Sequence, residues 1–185
     1  KRGIRRAELT LHVGAGTFLP VKSSLVSEHT MHREPFVVTA DFLRRLIAHQ
    51  GKLVAVGTTS VRTLESLYYI GVNCIEKGYP HDVGQWDPYI RSYGYSLTEA
   101  LNAIISYMDA KGLDQLQAGT RIIIVPGYDF KIVDVLVTNF HQPQSTLLLL
   151  ISAFLKGEWK QVYDYALGND FRFLSYGDSS ILFRE

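Results

Sequence analysis

The sequence predicts an α/β chain built on a mainly parallel sheet with flanking helices, layered or barrel-like. Three observations carry that expectation. Short β-branched runs alternate along the chain with amphipathic helical patterns, the order in which crossover units are built. The run Leu53 to Val56 is apolar without alternation, as in a strand covered on both faces. The 185 residues, 46% hydrophobic and 20% charged, suffice for one domain with a sizeable core, which excludes a disordered or collagen-like chain.

Taken in order, Leu9, Leu11 and Val13 alternate with Thr10 and His12, a half-buried strand ending at the pair Gly14 and Gly16. Pro35 to Thr39 reads as a second strand, and Phe42, Leu43, Leu46 and Ile47 have the spacing of a helix that Gly51 stops. After Leu53 to Val56, Gly57 breaks the strand and Thr58 to Ser60 offer hydroxyls to cap a helix. That helix has Val61, Leu64 and Leu67 or Tyr68 on its inner face and ends near Gly71. Asn73 to Tyr95 has no period and reads as a long irregular connection, an insertion or a lid. Ser96 and Glu99 form the S-x-x-E of a capping box, followed at helical intervals by Leu97, Leu101, Ile104, Ile105 and Met108 up to Gly112.

Arg121 to Val125 and Ile132 to Val137 are β-branched and read as strands around Pro126 and Gly127. Ser145 is placed to cap the apolar helix after them, and Glu158 to Leu167 forms another helix closed by Gly168. The tail from Phe171 to Phe183 reads as two short strands around Tyr176, Gly177 and Asp178, and no internal repeat is visible.

Composition narrows the chemistry. A formal charge of +1 excludes the bulk polycation that binds nucleic acid by charge alone, so an RNA partner needs a local patch. The single cysteine, Cys74, excludes an internal disulfide and a cysteine-rich zinc site, and suits a reducing compartment, with the cytoplasm as the default. The most apolar stretch, Thr146 to Leu155, is about half the ~20 residues a membrane helix needs. The opening KRGIRRAELT has neither an initiator methionine nor the apolar core of a signal peptide, and reads as the start of a piece of a longer protein.

Six segments hold chemistry-bearing residues. In His12 to Phe18, Gly14 and Gly16 either let a backbone approach a ligand or make a plain bend, since a third glycine is missing from the nucleotide fingerprint. Thr58 to Ser60 stand at a helix N-terminus, where an anion binds, with Arg62 as a bidentate partner. Glu65, one turn on, either holds Arg62 or accepts a ligand hydroxyl, and a solvated Arg and Glu pair is the plainer alternative. His29 and His32 in EHTMHRE share a side if that piece is helical, but H-x-x-H without further ligands is not a zinc signature, and no metal is expected. Asn139 and His141 occupy a strand-end loop, as a base or as a satisfied structural histidine, while Tyr176 to Asp178 are a site element or an ordinary turn. Trp86, Tyr89, Tyr93 and Tyr95 either stack on bases or cover the core.

The runs LHVGAGTF, EHTMHRE, VAVGTTSVRTLES, VTNFHQPQSTLLLLISAF and FLSYGDSSILF, five in order across nearly the whole chain, resemble the S-adenosylmethionine:tRNA ribosyltransferase-isomerase family of queuosine biosynthesis. The resemblance implies transfer of the ribosyl part of S-adenosylmethionine onto 7-aminomethyl-7-deazaguanine at the tRNA wobble position. Epoxyqueuosine, adenine and methionine are the products. It implies tRNA and S-adenosylmethionine as partners, the latter a consumed substrate with no resident cofactor, and a monomer in the cytoplasm. His12, His32 or His141 is then the base, Gly14, Gly16 and Thr17 approach the nucleoside, and Thr58, Thr59, Ser60 and Arg62 hold an anionic group. Glu65, Asn139, Tyr176 and Asp178 are further polar contacts. Two departures stand out. Family members carry a substantial N-terminal portion absent here, without which the sheet and cleft are incomplete and the fragment is expected to be inactive. Within the single domain 1–185, the stretch 72–118 reads as a family-variable insertion, a tRNA-contacting elaboration or a change of substrate. The alternatives are an S-adenosylmethionine-dependent transferase acting on another nucleoside or amine, and a non-catalytic RNA-binding module.

Overall fold

The computed structural model describes residues 3–14 and 25–184, so Gly16 and Thr17 lie outside the described residues. Two three-stranded sheets organise the rest. The first joins β1 (Thr10–Leu11), β2 (Glu34–Thr39) and β4 (Gln115–Thr120), with β2 central and both ladders antiparallel. The second joins β3 (Val54–Val56), β5 (Val135–Asn139) and β6 (Ser179–Phe183), where β3 and β5 run parallel and β6 antiparallel.

The mainly parallel sheet expected from the strand and helix alternation is therefore corrected. Successive strands are dealt to different sheets, β2 and β4 to one and β3 and β5 to the other, so most of the intervening helices are not crossovers within a sheet. Among the described strands only the β3 and β5 ladder keeps the parallel geometry.

Helices α1 (Ala40–Ile47), α2 (Thr58–Lys77), α3 (Asp87–Ile90), α4 (Leu97–Lys111), α5 (Thr146–Phe154) and α6 (Trp159–Gly168) complete the chain. Local signals set several ends as read. The Glu99 N–H donates to Ser96 Oγ at 3.2 Å while Ser96 N–H donates to Glu99 Oε2 at 2.7 Å, and Gly112 closes α4 with φ 63°. Ser145 Oγ accepts from the Leu148 N–H at 3.2 Å to cap α5.

Other ends depend on distant partners. Helix α2 passes through Gly71 and stops at Gly78, because Gly71 is where α2 and α4 cross. A Cβ there would stand 2.2 Å from the Ala100 carbonyl oxygen, so glycine permits the close approach. The fully buried Leu67, Ile70, Leu101, Ile104 and Met108 fill that crossing and form the centre of the core. Residues 121–125 are not a strand, although Ile122, Ile123 and Ile124 are buried. The ladder with β2 belongs to Gln115–Thr120, whose sequence has no β-branched run. The tail contributes a single strand, and its first part folds Phe171 and Phe173 against the Phe140 ring.

One face of the second sheet is left apolar and open. Val54 pairs with Val135 and that with Phe183, and Val56 pairs with Val137 and that with Ile181; Val54, Val56, Ile181 and Phe183 are all exposed.

Candidate functional site

Strand β2 alternates buried and half-buried positions from its first residue, so Glu34 points inward with Phe36 and Val38. A carboxylate on that parity must find a charged partner. Arg62, on the second turn of α2, supplies it: Nη1 donates to Glu34 Oε2 at 2.6 Å and Nε donates to the Ile122 carbonyl at 3.0 Å. Burial pulls the Arg62 guanidinium below its ordinary pKa and Glu34 pulls it back, and a guanidinium stays charged in such a pair. Its Nη2 has no hydrogen-bond partner among the described residues. Thr120 faces Glu34 across the ladder, and the Ser66 hydroxyl lies 2.7 Å from Thr120 Oγ1.

His32 stands two residues before Glu34, on the same side of the extended chain, with Nε2 at 3.0 Å from Glu34 Oε1. Residues 29–33 are not helical, so the expected shared face of His29 and His32 does not arise. Gln85 pins it instead, donating to the His29 carbonyl at 2.6 Å and accepting from the Met31 N–H at 2.9 Å. His12 is exposed just past β1, and its N–H donates to the Pro35 carbonyl at 3.0 Å. Gly14, two residues on, is exposed.

A second group forms at the carboxyl edge of the parallel pair. The Gly57 N–H donates to the Val137 carbonyl at 2.8 Å, and α2 starts directly after it. The expected hydroxyl cap is absent. Gly57 is the N-cap with φ 87°, and no side chain of Thr58, Thr59 or Ser60 takes that role, so the first-turn N–H groups have no acceptor within the helix. Arg62 lies four residues beyond Thr58, about 6 Å of helix rise, so the first two turns of α2 connect the two groups.

At the end of β5, Asn139 Nδ2 donates to the Asp178 carbonyl at 2.9 Å. The Asp178 carboxylate accepts from the Arg172 N–H at 2.5 Å and from its Nε at 3.0 Å, which holds its pKa below the usual range. Asp178 thus staples its own turn, and Tyr176 beside it is 71% exposed. His141 is 8% exposed, with Nε2 at 3.0 Å from Thr138 Oγ1, and burial lowers its pKa to about 4. The imidazole is neutral at pH 7 and buried.

Glu65 is corrected. It neither holds Arg62 nor faces a ligand, because its fully buried carboxylate accepts from the N–H groups of Lys131, Ile132 and Val133 and from Tyr128 Oη, at 2.8 to 3.0 Å. Burial raises its pKa and these four donors oppose the rise. Because Glu65 takes the N–H groups of Ile132 and Val133, the β5 ladder begins only at Val135, three residues after the expected strand start. Among the irregular-stretch aromatics, Tyr93 and Tyr95 pack against the core, and Tyr89 donates to the Ile123 carbonyl at 3.0 Å.

A cleft of about 730 Å³ lies between residues 3–9, the end of α1 and β3, with Arg5, Arg6, Arg45 and Lys52 among its lining and Ser60 at its wall. Glu34 is the residue that spacing arguments passed over. The signal was the H-x-E pattern leading into an alternating strand, which sets His32 and Glu34 on one side with the inward Phe36.

These features define an α/β chain with a carboxylate-backed imidazole at the surface end of a buried ion pair, whose arginine stands on the second turn of a helix that has no side-chain N-cap among the described residues. The family described as Queuosine biosynthesis protein matches residues 1–182, and the chain belongs to that family. It is 42% identical over 189 residues to the S-adenosylmethionine:tRNA ribosyltransferase-isomerase of Allorhizobium ampelinum, covering 100% of this chain and 43% of that protein. To the enzyme of the same name from Caulobacter vibrioides it is 41% identical over 188 residues, covering 100% and 41%. The crystal structure of S-adenosylmethionine tRNA ribosyltransferase from Thermotoga maritima is similar with a TM-score of 0.52 and 30% identity, over 80% of this chain and 40% of that one. The chain spans less than half the length of these relatives.

Proposed function

We propose that this chain carries the α/β portion of an S-adenosylmethionine:tRNA ribosyltransferase-isomerase, in which His32 is the base. The observation that carries the reading is the His32 imidazole at 3.0 Å from the buried Glu34, which is itself paired with Arg62. The reaction requires removal of a proton from the carbon next to the sulfonium, loss of adenine, attack by the aminomethyl nitrogen of the deazaguanine, and epoxide closure with loss of methionine. A neutral imidazole suits the first step near pH 7. His32 is partly open, whereas His141 is buried.

The first-turn N–H groups of Thr58, Thr59 and Ser60, which have no side-chain cap among the described residues, suit an anionic group of the substrate, and Asn139 and Tyr176 suit further polar contacts. The cleft lining, in which Arg5, Arg6, Arg45 and Lys52 outnumber Glu8, supports a tRNA backbone as partner. No helix among the described residues is long and apolar enough to cross a membrane, and a cytoplasmic monomer that consumes S-adenosylmethionine without a resident cofactor is part of the proposal.

The test incubates the natural full-length protein with S-adenosylmethionine and tRNA bearing 7-aminomethyl-7-deazaguanine, following adenine and the mass of the modified nucleoside. Adenine with a ribosyl-sized gain on that base is expected. No adenine, with S-adenosylmethionine still bound, would move the reading to another acceptor.

A further inference from the structure

We propose that Glu34 is a positioning residue, holding the His32 ring with Nε2 as the donor so that Nδ1 carries the basic lone pair, while Arg62 locks Glu34 in place; this deepens, and rests on, the transfer reading above. A guanidinium only donates, so the Glu34 oxygen 2.6 Å from Arg62 Nη1 is an acceptor, and the Arg62 plane is itself fixed by Nε on the Ile122 carbonyl. Glu34 Oε1, 3.0 Å from His32 Nε2, is then the second acceptor of one ionised carboxylate. A carboxylate without a proton cannot donate, so Nε2 must carry the hydrogen, and a neutral imidazole has only one.

Burial grades along the chain of contacts in the order such a device needs. The side chains are 27% exposed at His32, 2% at Glu34 and 4% at Arg62. The ring therefore stands at the solvent end and the opposite charges behind it are shielded, where their orienting field is least screened. When the proton leaves the carbon beside the sulfonium, the C–H bond breaks, its electron pair stays on that carbon, and an N–H bond forms at Nδ1. The imidazolium so formed faces the Glu34 carboxylate, which stabilises it without taking the proton.

The decisive measurement is a long-range proton and nitrogen-15 correlation spectrum of His32 in the wild-type protein, which reports which ring nitrogen holds the hydrogen. Hydrogen on Nε2 is expected, and hydrogen on Nδ1 overturns the proposal. Turnover by the natural full-length protein gives the second reading. Glu34→Gln is expected to lower kcat about 10²-fold, within the range a general base contributes, with KM for S-adenosylmethionine unchanged and partial rescue by Glu34→Asp. Added to His32→Ala, Glu34→Gln should cost nothing more, and additive losses would overturn the proposal. If Glu34→Gln fails to fold, the wild-type spectrum decides alone. If the wild type releases no adenine, the transfer reading fails while the spectrum still decides the ring.

Discussion

Glu34 on β2 and Arg62 on α2, 28 positions apart in sequence, meet at 2.6 Å with both side chains almost wholly removed from solvent. Desolvating two charges is costly, so each depends on the other. Glu34→Leu or Arg62→Met alone should destabilise by about 3–5 kcal/mol, since each takes from a buried charge its oppositely charged neighbour. The double replacement should cost clearly less than the sum of the two, as read by urea unfolding.

Gly71 gives a sharper packing test. A Cβ would meet backbone of α4 at Ala100 instead of a movable side chain, so Gly71→Ala should destabilise by about 1–3 kcal/mol despite alanine's better helix propensity. A thermal melt that rises would show that α2 and α4 do not cross there.

Glu65 organises the loop from Tyr128 to Val133, and its replacement should act on that loop first. Glu65→Ala leaves three buried or half-buried backbone donors without their acceptor, each worth about 1–3 kcal/mol in desolvation. Hydrogen exchange at the Ile132 and Val133 amides should accelerate well before exchange in α4. Equal acceleration everywhere would argue against a local staple.

His141 links stability to acid. Its folded pKa of about 4 lies below the ordinary histidine value of about 6.5, so only the unfolded chain binds the proton between them. Its contribution is intact above pH 6.5 and is lost as pH falls toward 4, by roughly 1–3 kcal/mol after allowance for partial hydration. His141→Gln should flatten that part of the curve in denaturant titrations at pH 7.5, 5.5 and 4.5. An unchanged slope would remove His141 as its source.

What could be read in the sequence was what short-range chemistry decides. The Ser96 and Glu99 box and the Ser145 cap act within one turn, and both formed as read. Gly71 looked like a stop because a glycine's meaning there depends on Ala100, far along the chain. Gln115–Thr120 showed no strand pattern because its pairing is imposed by β2, while the β-branched 121–125 run spends its apolar side chains in the core without joining a ladder.

The site divides in the same way. The motifs contain His32 and Arg62, and the fold joins them through Glu34, whereas local spacing offers Arg62 only Glu65, one turn on, as a partner. Glu34 was reachable through the inward parity of its strand. Asp178 appeared as a ligand contact, and Arg172 already occupies its carboxylate.

Of the three histidines in family motifs, His32 is the one proposed as the base. Adenine release by His12→Ala, His32→Ala and His141→Ala forms of the natural full-length protein, each corrected for its folded fraction, tests it most directly. His32→Ala alone is expected to lose about 10²-fold or more, the scale of general-base catalysis. Full turnover by His32→Ala, with the loss appearing at His12 or His141, would contradict it.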